Sequence, residues 1–294
     1  MPHGPPPDRP GRALLISAVA KRVISTLVLW ALVAGTLWFF RTTGALVLIV
    51  VISVLTLREF YQLLGGAGFT PFHKLGLFFG GLITLAPWAE ARFGRPDHLL
   101  LALATIVFAV RLLGERKPEN RVESLASTIV GLVYVSLLLQ YFVRIVTPLA
   151  GDTITANGRL LLAVWLIMVA KFCDMGALLT GLAFGKHKMS PQISPKKTWE
   201  GAAGGVLLSM ASGAVFAWCA RDAFPPHMTP LAAGLMAAPL AMLAIVSDLI
   251  ESVIKRRANF KDSGQAVPGI GGMFDLSDSL ILAAPLGYFL FRLP

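Results

Sequence analysis

Nine stretches of about twenty largely apolar residues follow one another along this chain, and that succession constrains the fold more than any motif does. They lie at roughly 23–40, 44–63, 72–91, 97–113, 125–147, 159–183, 201–220, 229–253 and 274–292. An α-helix rises 1.5 Å per residue, so each stretch approaches the ~30 Å needed to cross the hydrocarbon of a bilayer. In lipid, backbone N–H and C=O groups must pair within the protein, which favours helices. The expected fold is all-α: a polytopic membrane protein with about nine transmembrane helices. Composition removes the main alternative. Charged residues are 14% of the 294 and hydrophobic ones 55%, too little polar surface to cover a soluble core of this size. A disordered chain is excluded on the same figures.

The basic residues orient the expected helices. Eighteen Lys and Arg flank the N-terminus and the 2–3, 4–5, 6–7 and 8–9 loops, seven fall on the other side, and Lys171 lies inside span 6. That bias places the N-terminus in the cytoplasm and, with nine spans, the C-terminus outside. The net charge of +10 is then a property of loops facing anionic lipid heads, and no nucleic-acid partner is expected. Residues 1–22 read as a disordered Pro- and Arg-rich tail followed by a short interfacial helix over 13–22. Residues 23–170 read as transmembrane scaffold and dimerisation helices. Residues 171–294 read as a catalytic region with cytoplasmic loops 184–200 and 254–273. Cys173 and Cys219 lack metal or disulfide spacing and read as small packing residues.

The region 171–294 also holds most of the carboxylates found in apolar runs: Asp174, Asp248, Glu251, Asp275 and Asp278. An ionised carboxylate in a bilayer costs several kcal/mol unless it is paired or metal-bound, so such groups read as functional. Asp248, Glu251 and Lys255 stand at i, i+3 and i+7 on one helix face, and Asp275 and Asp278 share another. If spans 8 and 9 pack together, three or four carboxylates converge at the cytoplasmic end. A hard cation such as Mg²⁺ would relieve their repulsion. The competing reading is an inert salt-bridge network with Lys255, Arg256 and Lys261.

Two loops flank this cluster. Loop 8–9 carries Gly264, Gly269, Gly271 and Gly272, suited to close backbone approach or to N–H donation to phosphate. Loop 6–7 reads GKHKMSPQISPKKTWEG, with Lys196 and Lys197 ahead of a helix start at Thr198. Dense lysine beside a helix start suits a polyphosphate. Glu200 is one residue short of a capping box, and His187 reads as a solvated loop residue.

These residues resemble a known family. Ser252–Arg256, Lys261-Asp262, Pro268-Gly269, Gly271-Gly272, Asp275 and Asp278 resemble the signature of phosphatidate cytidylyltransferases, the CDP-diacylglycerol synthases. Ser194–Gly201 (SPKKTWEG) resembles a second motif of that family, Asp174–Ala177 a third, and Glu59-Phe60-Tyr61 has a similar flavour. The resemblance implies transfer of a cytidylyl group from CTP to phosphatidic acid in phospholipid biosynthesis. It implies a multi-pass homodimer in the cell inner (plasma) membrane, among membrane lipids. It also implies Mg²⁺, with a monovalent cation such as K⁺ alongside. By the resemblance Asp248, Asp275 and Asp278 hold the metal, with Asp248, Asp275 and Lys255 catalytic. Asp174, Ser194, Lys196, Lys197, Ser252, Arg256, Lys261, Gly271 and Gly272 bind substrate. The pattern departs at Ile270, where the family has His, at Leu276, where it has Arg, and conservatively at Val267. A phosphate monoester is mostly dianionic at pH 7, so the nucleophile needs no histidine base; Arg257 or Lys261 could supply the missing charge. Another lipid nucleotidyl- or phosphotransferase, or a transporter using the carboxylates for ions, are the rival readings.

The charge bias makes one outcome testable at once. Reporter fusions after Lys188 and after Pro294 are expected to fall on opposite sides of the membrane. Both on one side would contradict the nine-span topology.

Overall fold

The computed structural model describes residues 12–114, 121–148, 154–260, 263–264 and 271–293. Lys261 and Asp262 and the Pro268–Ile270 stretch, singled out above, lie outside them, as do Arg116 and Lys117 of the 4–5 loop. Among the described residues the chain is helical apart from one small hairpin. In order it runs α1 (Arg12–Gly66), α2 (His73–Phe93), α3 (His98–Leu113), α4 (Arg121–Gly131), a π-helical segment (Leu132–Leu137), α5 (Leu138–Val146), α6 (Ala156–Phe184), β1 (Lys188–Ser190), β2 (Ser194–Thr198), α7 (Trp199–Cys219), α8 (Pro230–Arg257) and α9 (Met273–Leu290).

Six helices among the described residues are long and apolar enough to cross a membrane: Ala31–Gly66, Arg121–Val146, Ala156–Phe184, Trp199–Cys219, Pro230–Arg257 and Met273–Leu290. Expected spans 3 and 4 fall on α2 and on α3, which has only 16 residues. Expected spans 1 and 2 fall on the two arms of α1. The helix breaks at Arg41 (φ 47, ψ −127). Eight residues of continuous helix would separate Thr36 and Gly44 by about 12 Å. Instead, a Cβ on Gly44 would lie 2.7 Å from the Thr36 carbonyl oxygen and 2.9 Å from Phe40 Cβ. The chain therefore folds back sharply at Arg41, and a side chain at position 44 would block the turn. No separate interfacial helix precedes the first arm: residues 13–22 continue directly into it.

Lipid offers apolar helices no hydrophobic drive to associate, so close packing and interhelical hydrogen bonds must hold the bundle. The tightest pair is α6 against α7. The buried residues of α7 are Gly201, Gly205, Ser209, Gly213 and Ala217, a small residue at every fourth position. A Cβ on Gly205 would sit 2.7 Å from the Cys173 carbonyl oxygen, and one on Gly176 of α6 would sit 2.9 Å from that of Gly204. The close approach lets side chains reach the opposite backbone: Ser209 Oγ donates to the Val169 carbonyl at 2.8 Å and Trp165 Nε1 to that of Gly213 at 2.9 Å. Elsewhere hydroxyl pairs join helices, Ser53 with Thr84 at 2.7 Å and Thr56 with Ser277 at 2.8 Å. Outward faces carry exposed apolar residues such as Leu178, Leu182, Leu207, Trp218 and Leu235, as a lipid-facing surface requires.

Charged groups gather at the two ends of the bundle. At one end Arg144 of α5 pairs with Glu90 at 3.3 Å and with Asp97, and its guanidinium lies over Tyr141 and Tyr288. At the other end lie the β1–β2 hairpin and the segment joining α8 to α9. Loop 6–7 carries two Ser-Pro pairs, Ser190-Pro191 and Ser194-Pro195. Much of it forms an antiparallel pair, with Lys188 opposite Thr198 and Ser190 opposite Ser194. Thr198 then caps α7, its hydroxyl accepting the Gly201 N–H at 3.1 Å. Glu200 forms no capping box; it accepts the Lys186 and His187 N–H groups at 3.2 Å, and His187 Nδ1 at 2.6 Å. His187 is solvated, as expected, but tied to that carboxylate.

The α6–α7 seam should be intolerant of added bulk. Gly205→Val forces α6 and α7 apart and is expected to cost about 1–3 kcal/mol, read as a lowered unfolding midpoint in detergent. Leu207→Val, on the exposed face of α7, should melt like the wild type. Equal midpoints for all three proteins would contradict this packing.

Candidate functional site

Helix α8 presents Asp248 and Glu251 one turn apart, and α9 presents Asp278 against them. One carboxylate oxygen from each lies within 4.8 Å of the other two. Glu251 and Asp278 are almost fully buried, at 2% and 6% exposure, while Asp248 is half-buried. Ser247 Oγ donates to the Asp278 carbonyl and fixes the α8–α9 register at this level.

Three lysines from three elements answer these carboxylates. Lys197 reaches in from β2 to Asp248 Oδ2 at 2.6 Å. Lys255, one turn beyond Glu251, lies 3.1 Å from Glu251 Oε1 and 3.0 Å from Asp275 Oδ1. Lys171 on α6 lies 3.3 Å from Asp174 Oδ2 and donates to Ser279 Oγ at 2.9 Å. Each pairing lowers the cost of an ionised carboxylate in apolar surroundings. The pairing is incomplete: Glu251 Oε1 is buried, with Lys255 near it but no directed hydrogen bond. Three clustered hard oxygens form a donor set that fits a cation such as Mg²⁺.

The third member of that set departs from expectation. Asp275 is not among the clustered three. Its oxygens accept from Lys255, from the Ser263 N–H at 3.3 Å and from the Gly272 N–H at 3.1 Å. The last of these is the back-reaching half of a capping box at the start of α9. Glu251, which shares a face with Asp248 in the sequence, stands where Asp275 was expected.

The other half of that cap comes from the far end of the sequence. Gly272, at the N-cap of α9, has no side chain to offer. Glu59 of α1, 6% exposed, accepts the Phe274 N–H at 2.8 Å and the Ser263 hydroxyl at 3.1 Å. Ser263 Oγ in turn accepts the Asp275 N–H at 3.3 Å. Here glycine is required: a Cβ on Gly272 would fall 2.1 Å from Ser263 Oγ and 2.3 Å from Glu59 Oε2. Gly271 has φ 130, a backbone region that L side chains rarely adopt. The Gly272 amide expected for phosphate is thus committed to Asp275.

The remaining candidates are dispersed around this centre. Ser252 follows Glu251, half-buried. Ser194 opens β2, half-buried, while Lys196 and Arg256 are exposed. The π-helical segment turns Tyr134 toward the cluster, its ring 5.7 Å from Phe60 and its hydroxyl near Ser247, Glu251 and Asp278. Glu59, Tyr134 and Lys171 received no role from the sequence. Glu59 is the one carboxylate between residues 9 and 89, and Lys171 the one lysine in the middle of an apolar span. Those were available signals; Tyr134 gave none, because its approach depends on the π-turn.

Comparison with known proteins finds similarity along most of the chain. The model of the cytidylyltransferase family matches residues 20–293. A phosphatidate cytidylyltransferase of Synechocystis is 29% identical over 293 residues, covering 92% of this chain and 95% of its own. One from Thermotoga maritima is 31% identical over 196 residues, covering 66% and 68%. One from Pseudomonas aeruginosa is 37% identical over 131 residues, covering 45% and 46%.

The cap by Glu59 is open to a direct test. Glu59→Ala strands a buried N–H and a buried hydroxyl, at about 1–3 kcal/mol, and should lower the unfolding midpoint. Glu59→Gln keeps one acceptor oxygen and should lower it less. Indistinguishable midpoints for the two variants would show that the carboxylate does not cap α9.

Proposed function

Because the chain belongs to the cytidylyltransferase family, we propose that it transfers the cytidylyl group of CTP to phosphatidic acid, giving CDP-diacylglycerol and pyrophosphate. The observation that carries this reading is the meeting of Asp248, Glu251 and Asp278 within 4.8 Å, at the end of the bundle to which both basic loops fold. Such a site sits where a lipid head and a soluble nucleotide can meet.

The reaction asks the protein for positioning and charge neutralisation more than for covalent chemistry. The lipid phosphate oxygen attacks the α-phosphorus of CTP, the bond from that phosphorus to the bridging oxygen breaks, and pyrophosphate leaves with the electron pair. The phosphate monoester has a second pKa of about 6 and arrives mostly as a dianion, so Ile270 in place of a histidine removes no required base. Asp248, Glu251 and Asp278 would hold Mg²⁺, which supplies neutralisation of charge on the triphosphate. Lys196 and Lys197 stand on the hairpin as cations for the β- and γ-phosphates, and Lys197 also holds Asp248. Lys255 keeps Glu251 and Asp275 apart in charge and fixes both. Asp275, with Gly271, Gly272 and Glu59, fixes the start of α9 beside the cluster. Asp174, Ser194, Ser252, Arg256 and Lys261 are further candidates for the nucleotide and the lipid phosphate.

Topology and setting belong to the same proposal. The nine crossings are the two arms of α1, α2, α3, the α4–α5 rod and α6 to α9, with the N-terminus and both basic loops cytoplasmic. The basic-residue bias supports this orientation. A homodimer in the inner membrane is what the family resemblance supports.

Asp248→Asn and Asp278→Asn should each lower CDP-diacylglycerol formation at least about 10²-fold, as for loss of a preorganised charged group, while the purified protein stays folded. Product would be measured by chromatography with CTP, phosphatidic acid and Mg²⁺. Near-normal turnover in folded Asp248→Asn and Asp278→Asn would favour an inert ion-pair network and a different site.

A further inference from the structure

Lys171 is a cation in the middle of an apolar helix, and neither the sequence motifs nor the reaction above gives it work. Its ammonium donates to Ser279 Oγ on α9 at 2.9 Å and to Asp174 Oδ2 on its own helix at 3.3 Å. The side chain is 26% exposed. Asp278, a member of the carboxylate cluster, precedes Ser279 directly and lies within the field of this charge. Ser279 is also three residues beyond Leu276, one turn along the same face of α9. Position 276 is where the motif pattern calls for an arginine and this chain has a half-buried leucine.

We propose that Lys171 is a positioning residue that supplies, from α6, the positive charge the pattern places on α9 at position 276. The proposal rests on the cytidylyltransferase reading of the site. Charge bookkeeping favours it. Asp174, Asp248, Glu251, Asp275 and Asp278 bring five negative charges; Lys171, Lys197 and Lys255 bring three positive ones. Glu59, joined to Asp275 through Ser263, adds a sixth carboxylate, so negative charge exceeds positive charge at this end of the bundle and a bound cation would offset it. Without Lys171 the excess grows by one, Asp174 loses its ion pair, and Ser279 loses its tie to α6. Of the cations first expected to compensate, Arg257 is exposed at the end of α8, and Lys261 lies outside the described residues. Lys171 thus holds Asp174 in place and keeps the cluster from drawing in excess cation.

The test moves the charge back. Lys171→Met, Lys171→Arg and the double variant Lys171→Met/Leu276→Arg are purified as full chains in detergent. Two quantities are read: turnover of CTP and phosphatidic acid, and the Mg²⁺ or Mn²⁺ concentration that half-saturates the rise in unfolding midpoint without substrates. Lys171→Met should lose about 10-fold or more in kcat, while its half-saturating cation concentration falls by about the same factor, the scale typical of groups that support metal ligands. Opposite movement of activity and cation affinity is a signature that loosened packing alone does not give. Lys171→Arg should stay near wild type, and the double variant should regain most of both quantities. Lys171→Met with normal turnover and cation response, or a double variant as impaired as Lys171→Met, would overturn the proposal. An unfolded Lys171→Met leaves the decision with the double variant, since relocated charge must then restore folding as well. If the wild type makes no CDP-diacylglycerol, the reading of its activity fails, while the cation series still decides the role of Lys171.

Discussion

Five carboxylates packed into the end of an apolar bundle are the constraint on which the rest of this structure depends. A lone ionised carboxylate in such surroundings costs several kcal/mol, and five near one another would repel strongly. The fold answers with cations brought from separate elements: Lys171 on α6, Lys197 on β2 and Lys255 on α8. Each of these pairings also fixes geometry. Lys197 reaches Asp248 from β2, the strand that leads directly into α7. Lys255 ties Glu251 to Asp275 and so joins α8 to the start of α9. The ion pairs are thus as much a set of distance constraints as a source of stability, consistent with the small net value of many buried pairs.

The N-terminal half takes part in the same arrangement. Helix α9 begins at a glycine and cannot cap itself with a side chain, so Glu59 of α1 accepts the Phe274 N–H from across the bundle. The loop glycines allow this: Gly264 and Gly272 lie so close to Glu59 that a Cβ on either would fall within 2.6 Å of a carboxylate oxygen. Small residues do similar work in the α6–α7 seam, where Gly176, Gly201 and Gly205 let backbones approach until Ser209 and Trp165 bond the opposite chain. The first arms of the protein are therefore both scaffold and a source of one group that shapes the site.

Much of this was legible from residue order alone. Each expected span falls on a helix or helix arm. The gathering of basic residues and carboxylates at one end followed from sequence spacing, which put Asp248 and Glu251 on one helix face. What escaped did so for physical reasons. Asp275 reads as a ligand by its i, i+3 partnership with Asp278, yet it faces the start of its own helix and serves the cap there. The hairpin in loop 6–7 is too short for alternation to stand out, and Pro195 and Pro191 suggest irregular chain. The period-four stripe of small residues on α7 was visible, but an apolar span gives little contrast between glycine, alanine and their neighbours. Glu59 and Lys171 were conspicuous as lone charges; only the packing of α1 on α9 and of α6 on α9 shows what they meet.

The central claim is nucleotidyl transfer at the carboxylate cluster, and the fate of the CTP phosphates tests it most directly. Purified protein in detergent with phosphatidic acid and Mg²⁺ would be given CTP labelled at either the α- or the γ-phosphorus. Nucleotidyl transfer predicts α-label in a chloroform-soluble product and γ-label only in pyrophosphate. Label from the γ-position in lipid would identify phosphoryl transfer instead and contradict the account, as would a folded wild-type protein that leaves both labels in CTP.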